Sequence, residues 1–398
     1  MKAKIFLAAL AGVALAGCVT DNEYEVTPES GKAKIVFESP VMYNQGAGTR
    51  AEYYGEIGSH QYAQGGVTYT YPRAENFQIY AVQHTGDFAG WAAATLADFN
   101  DTGITYDSSL DGWAPKKNGS YYHWPSGQSM SFAACSPADL EQSGSCQRTY
   151  GPAGLTITNF QVPATADKHY DLMFSERTVN RSSASMLQGA DYYSGVPIKF
   201  QHALSSIHFS LRNSSSEKVV LTKVSLYGVH DTGTFTEGLT EDPNDYTKYV
   251  RGENVNPDWN VTPGSPLVAE EEAYVAFDGE LEFPTNAQYI SNLLTQAENA
   301  GNTSKNHVLL VLPQSLGDDA KLRVDYTVNG SPAYKIVNLN TAVEDKENGA
   351  VISSWVMGTR YTYRLYYSEE SASQDKIYFA PSSDGWKDAS TAVIELKN

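Results

Sequence analysis

The sequence predicts an all-β protein made of sandwich-type domains, and three observations carry that prediction. Its composition holds 27 tyrosines and 32 glycines with only 19% charged residues, the balance of a chain that fills pleated surfaces and turns rather than solvated helices. Short strand-like runs recur along it, broken by Gly, Pro, Asn and Ser clusters, while long runs of helical period are scarce. Finally, Leu322, Val324, Tyr326 and Val328 alternate up to Asn329-Gly330, the dipeptide that favours a two-residue hairpin turn.

Taken from the start, Lys2 and Lys4 precede the apolar stretch "IFLAALAGVALAG", which is too short for a comfortable membrane span and reads as a signal peptide over residues 1–17. The stretch ends in "LAGC" at Leu15 to Cys18. That tetrad resembles a bacterial lipobox, in which Cys18 becomes the lipid-modified first residue. The whole chain has a formal charge of -18, and removing Lys2 and Lys4 takes it to -20. So acidic a body disfavours a nucleic-acid partner. Residues 19–31, "VTDNEYEVTPESG", are acidic and turn-forming and read as a spacer.

The first strand follows at once. Ala33, Ile35, Phe37 and Val41 fall on one face with Lys34 and Glu38 opposite, the period of two of a half-buried strand. Beyond it, "GAGTRAEYYG" is a glycine-rich tether whose Arg50 is open to a trypsin-like protease. Residues 18–50 are therefore expected to form a spacer plus a separable strand, with one domain over 51–195 and a second over 196–398. In "VPIKFQHALSSIHFSL" the apolar set moves from Ile198, Phe200, His202 and Leu204 to Ile207, Phe209 and Leu211. Such a slip exchanges the two faces of a strand, so a bulge or kink is expected at Ser205-Ser206. His202 falls on the core face and is expected to be buried and hydrogen-bonded rather than a ligand. A short helix is predicted around Thr295. Ala392, Ile394 and Leu396 alternate with Val393, Glu395 and Lys397 to end the chain in a strand with one apolar face.

Catalytic signatures are absent. The chain has no Gly-x-Ser-x-Gly elbow, P-loop, His-Glu-x-x-His or dinucleotide fingerprint, and "DPNDY" at Asp242 lacks the glycine and distal glutamate of an EF-hand loop. The carboxylates are many and none pairs off as a hydrolytic dyad. The sequence thus names no catalytic residue, no metal ligand and no cofactor. With Cys18 spent on lipid, Cys135 and Cys146 have ten residues between them. They either close one small disulfide loop or stand as a free pair, and neither is spaced for zinc. The five Asn-x-Ser/Thr triplets, at Asn118, Asn180, Asn213, Asn260 and Asn302, read as turn residues.

Several stretches in fixed order resemble one family. "YYHWPSGQSMSFAACSP" at Tyr121, "YDLMFS" at Tyr170, "VPIKFQHALSSIHFSL" at Val196, "HVLLVLPQSL" at His307, "WVMGTRYTYRLYY" at Trp355 and "KIYFAPSSDGW" at Lys376 follow one another as in the Mfa-like fimbrillins. Cys135, where an aromatic is usual, and the long "EDPNDYTKYVRGENVNPDWNV" loop depart from the pattern. The resemblance implies two transthyretin-like, Greek-key β-sandwich domains in tandem, in a lipoprotein subunit of surface fimbriae that serves cell adhesion and is no enzyme. It implies cleavage between Arg50 and Ala51, displacement of the strand holding Ile35, Phe37 and Val41, and a replacement strand supplied by another subunit, for which Ala392, Ile394 and Leu396 are the candidate donor. The implied partners are other fimbrial subunits in a homo- or hetero-polymer, outer-membrane lipid through Cys18, and host or bacterial surface ligands. Asp21 and Glu23 after Cys18 resemble a surface-export signal, which implies the outer face of the outer membrane. The alternative is a glycan-binding surface lipoprotein, with Trp91, Trp113 and Trp259 in loop-like contexts stacking on sugar rings.

Overall fold

The computed structural model describes residues 34–37, 41–42, 61–64, 67–70, 77–86, 88, 103–107, 112–117, 120–138, 140, 146–151, 154–175, 177–182, 195–238, 258–261, 267–283, 308–342, 351–367 and 387–395. Among them the chain is all β, with helical structure confined to single 3-10 turns such as Ala166–Lys168. Four sheets account for most of the strands.

The first sheet runs in the order Val41–Met42, Lys199–His202, Met173–Ser175, Ser129–Ser136, Phe77–His84, Gly103–Asp107 and Gly112–Ala114, with Thr178–Arg181 also paired to Ser129–Ser136. Its two central strands are buried on both faces. Phe77, Ile79 and Ala81 with Met130, Phe132 and Ala134 point into one core, and Tyr80, Val82, Ala133 and Cys135 into another. The near-continuous apolar runs "FQIYAV" and "SMSFAACS" are what that double burial demands, because a one-sided strand would alternate with polar residues.

The second sheet, in the order Gln147–Gly151, Gly154–Gln161, Thr232–Thr236 and Asp258–Val261, lies against the second of those faces. Tyr80 stacks on Tyr150 at 4.7 Å between ring centres, and Phe174 meets Phe235 at 5.1 Å. The third sheet (Leu309–Val311, Ser205–Asn213, Thr359–Tyr367, Lys387–Glu395) and the antiparallel fourth (Tyr274–Glu282, Val219–Tyr227, Lys321–Val328, Ser331–Asn338) form the second sandwich. Leu211, Leu221, Val224, Leu322, Tyr363 and Leu365 fill its core.

The slip expected at Ser205-Ser206 takes a different form. The chain leaves the first sheet after His202 and enters the third at Ser205, so the apolar set changes face because the sheet it must cover has changed. His202 is buried, with Nδ1 2.7 Å from Asp171 Oδ2. Strand pairing also runs across the boundary expected at residue 195, since Lys199–His202 pairs with Met173–Ser175 and Gly154–Gln161 with Thr232–Thr236. The Asn329-Gly330 hairpin is present as expected, joining Lys321–Val328 to Ser331–Asn338 in register with positive φ at both turn residues, 49° and 85°. The helix expected near Thr295 lies outside the described residues.

Candidate functional site: the seat of the N-terminal segment

Residues 34–37 lie between Trp113, in the last strand of the first sheet, and Val196, just ahead of its strand Lys199–His202. Phe37 forms an antiparallel bridge to Trp113 on one side and a parallel bridge to Val196 on the other, while Lys34 bridges His123. Four main-chain hydrogen bonds hold the segment. The Ile35 N–H donates to the Tyr122 carbonyl at 2.9 Å and the Phe37 N–H to the Trp113 carbonyl at 2.7 Å; the Trp113 N–H donates to the Phe37 carbonyl at 3.0 Å and the Val196 N–H to the Val36 carbonyl at 2.8 Å. Further on, Val41 and Met42 pair in parallel with Lys199 and Phe200.

The side chains add an apolar anchor. Ile35 and Phe37 are 1% and 0% exposed, and Val36 is buried beside them at 5%. Phe37 sits edge-on to Phe132 at 5.3 Å and to Phe77 at 6.4 Å, and Phe77 in turn contacts Trp113 at 5.3 Å and Phe200 at 5.8 Å. Burying an apolar side chain of this size stabilises by roughly 1.5–3 kcal/mol, so the three together make a substantial share of the first sandwich. Just before them, the Lys34 ammonium lies 4.7 Å from the Tyr121 ring centre, an arrangement that suits a cation over an aromatic face. Without the segment, Phe77, Phe132 and Trp113 would lose their cover, and Trp113, Tyr122 and Val196 would lose main-chain partners. Unpaired edges of this kind accept an incoming strand.

A buried ion pair ties the first sheet to the second. Arg177 Nη1 lies 2.6 Å from Glu237 Oε1, both side chains being about as buried as the core, and Glu237 Oε2 accepts the Leu155 N–H at 2.8 Å. Burial alone would draw the guanidinium downward, but the facing Glu237 carboxylate outweighs it and holds Arg177 above the ordinary arginine range. Burial also pushes the neighbouring Tyr150 phenol well up. Gly154 lies against this pair with φ +80°, where any Cβ would collide with the Glu237 carboxylate.

Of the residues singled out from the sequence, Ile35 and Phe37 meet in the seat, and Val41 pairs along the main chain with Lys199. Ala392 and Ile394 lie in Lys387–Glu395, the outermost strand of the third sheet, opposite Tyr363 and Leu365 in parallel pairing. Cys18, Arg50, Ala51 and Leu396 lie outside the described residues. Cys135 and Cys146 are free thiols, so the disulfide loop is not formed. Cys135 is enclosed in the core between the first two sheets and Cys146 is half-buried at its margin, and burial pushes both thiols up. Trp113 and Trp259 are core residues, 1% and 7% exposed, rather than open platforms for a sugar; Trp91 lies outside the described residues. Trp113 stands in the run Gly112-Trp113-Ala114-Pro115, which reads as loop, so nothing local marks it as the wall of the seat. No group of three or more His, Cys, Asp or Glu residues able to hold a metal occurs among the described residues, and none of their helices is long and apolar enough to cross a membrane.

Among solved structures, a candidate cell adhesion protein from Bacteroides uniformis ATCC 8492 is similar at 15% identity over 75% of this chain and 88% of its own, with a TM-score of 0.41. A fimbrial protein from Bacteroides vulgatus ATCC 8482 aligns at 14% identity over 74% and 88%, also with a TM-score of 0.41. A candidate cell adhesion protein from Parabacteroides distasonis ATCC 8503 aligns at 14% identity over 92% and 94%, with a TM-score of 0.35. No curated protein sequence matches the chain. The sequence profile described as fimbrillin-like matches residues 68–378, most of the 398, and the chain therefore belongs to the fimbrillin-like family.

Proposed function

We propose that the protein is a structural subunit of bacterial surface fimbriae that assembles by strand exchange. In this reading it is exported with its signal peptide removed before Cys18, lipidated there and held at the outer face of the outer membrane. Cleavage between Arg50 and Ala51 then frees the segment holding Ile35, Phe37 and Val41. A strand from another subunit fills the vacated seat, and the C-terminal strand with Ala392, Ile394 and Leu396 is the segment proposed for the supply side. Two sandwiches, the first completed by the later strands Lys199–His202, Thr232–Thr236 and Asp258–Val261, give each subunit an accepting sandwich and a donating one. The role is structural and adhesive, with no catalytic step.

The observation that carries this reading is the position of Phe37, whose main chain bridges both Trp113 and Val196. A strand in that place is removable without breaking any other pairing of the sheet, and its loss exposes apolar surface and main-chain groups that water serves poorly. The test is Arg50→Ala in cells that make the protein. Wild type is expected to give oligomers that resist SDS without boiling, and the variant a monomer that keeps residues 18–50. Oligomers unchanged in the variant would refute cleavage at Arg50 as the trigger.

A further inference from the structure

The residues now in the seat define what a replacement must look like. Ile35, Val36 and Phe37 are all buried in consecutive positions. The last of them enters a pocket walled by rings, with Phe132 and Phe77 meeting it edge-on at interplanar angles of 90° and 89°. Close-packed surroundings of this sort leave a void when a smaller side chain enters. The main-chain direction is fixed as well, parallel to 196–200 and antiparallel at Trp113.

The C-terminal strand of this chain does not meet those demands. Residues 387–398, "KDASTAVIELKN", contain no aromatic residue. Read in the resident direction, Ala392-Val393-Ile394-Glu395 repeats the pattern of Ile35-Val36-Phe37-Glu38, but with alanine in the place of Ile35 and isoleucine in the place of Phe37. Shifting by two residues puts Ile394 and Leu396 in those places and drives the Glu395 carboxylate into the buried place of Val36, an unpaired charge in an apolar site. Every other register sets a hydroxyl, charged or amide side chain at one of the three buried positions. Independently, Lys387–Glu395 is already paired with Thr359–Tyr367 at eight register positions, from Thr359↔Lys387 to Tyr366↔Glu395.

Resting on the strand-exchange reading above, we infer that the seat accepts a strand from a different subunit, one carrying aliphatic, apolar and aromatic residues in consecutive positions, and discriminates against the C-terminal strand of a second copy. Exchange is then heterotypic, and this chain's own C-terminal strand serves a groove of another shape.

The test uses the full chain with a specific protease site placed among residues 44–50, cut in the folded state. Three fluorescent peptides compete for the seat: residues 32–43, residues 387–398, and residues 387–398 with Ala392→Ile and Ile394→Phe. Anisotropy titration is expected to show the first binding, the second weaker by at least about a hundredfold, and the third regaining most of the loss. The inference is overturned if the unmodified C-terminal peptide binds within about threefold of residues 32–43, or if the two substitutions leave its affinity unchanged. Failure of residues 32–43 to bind at all removes the exchange reading and this inference with it, an outcome distinct from tight binding by all three.

Discussion

Phe37 and Trp113 exchange both of their main-chain hydrogen bonds, at 2.7 and 3.0 Å, while the Phe37 ring and the Trp113 indole both pack on Phe77. Backbone and side chain thus act at one place. The same residue also bridges Val196, so one residue of the N-terminal segment joins two stretches far from it in sequence.

That double role predicts the cost of truncation. Phe37→Ala in the full chain is expected to lower stability by about 3–5 kcal/mol, the range for deleting a fully buried aromatic side chain. Urea denaturation followed by tryptophan fluorescence measures it. A loss below about 1 kcal/mol would show that the segment is not part of the cooperative core.

The Arg177–Glu237 pair predicts a sharp contrast between single and double variants. Removing one partner, as in Arg177→Met or Glu237→Leu, leaves a buried charge alone and is expected to cost about 3–5 kcal/mol. The double variant is expected to recover most of that loss, because no charge then remains to be desolvated. A double variant as unstable as the sum of the singles would mean that the pair acts mainly by packing.

The thiols predict unequal reactivity. In a chain starting after Cys18, a thiol reagent at pH 8 is expected to modify half-buried Cys146 slowly and Cys135 only on unfolding, since burial pushes both upward from the ordinary thiol range. An intact mass two hydrogen atoms light, restored on reduction, would instead reveal a bond between them.

His208 predicts a pH dependence. Burial first, and then the Arg360 charge, lower its proton affinity well below the usual 6.5, and its Nε2 lies 2.8 Å from Ser206 Oγ. The unfolded chain therefore takes up a proton near pH 6.5 that the folded chain refuses, so stability falls as pH drops from about 6.5 toward 5. Comparing wild type with His208→Gln by thermal denaturation across that window should show a shallower slope in the variant. Equal slopes would place the acid sensitivity elsewhere.

Much of the fold was legible in the sequence, for reasons that particular residues make plain. The alternation ending at Asn329-Gly330 encodes its own hairpin, since both turn residues must take positive φ. The spacing of Ile35 and Phe37 marks them as core residues, but the half-buried strand expected there is not what forms: residues 34–37 make isolated bridges, and Val36 between them is buried as well. The change of sheet after His202 was visible only as a slip of the apolar face, because a bulge and a crossover move side chains in the same way over a short window. The partners of the N-terminal strand were hidden altogether. Trp113 and Val196 lie 76 and 159 residues from Phe37, and nothing local marks a main-chain group as awaiting a distant partner. The same distance concealed Glu237, whose match to Arg177 depends on how two sheets face each other.

On the strand-exchange reading, residues 34–37 and 41–42 are a removable occupant of a seat that another strand fills. Its most direct test is the mass of the protein's N-terminus in SDS-resistant oligomers taken from cells, set beside that of the monomer. Oligomers beginning at Ala51 with monomers beginning at lipidated Cys18 are the predicted result. Assembled protein that still begins at Cys18 and keeps Phe37 would contradict it.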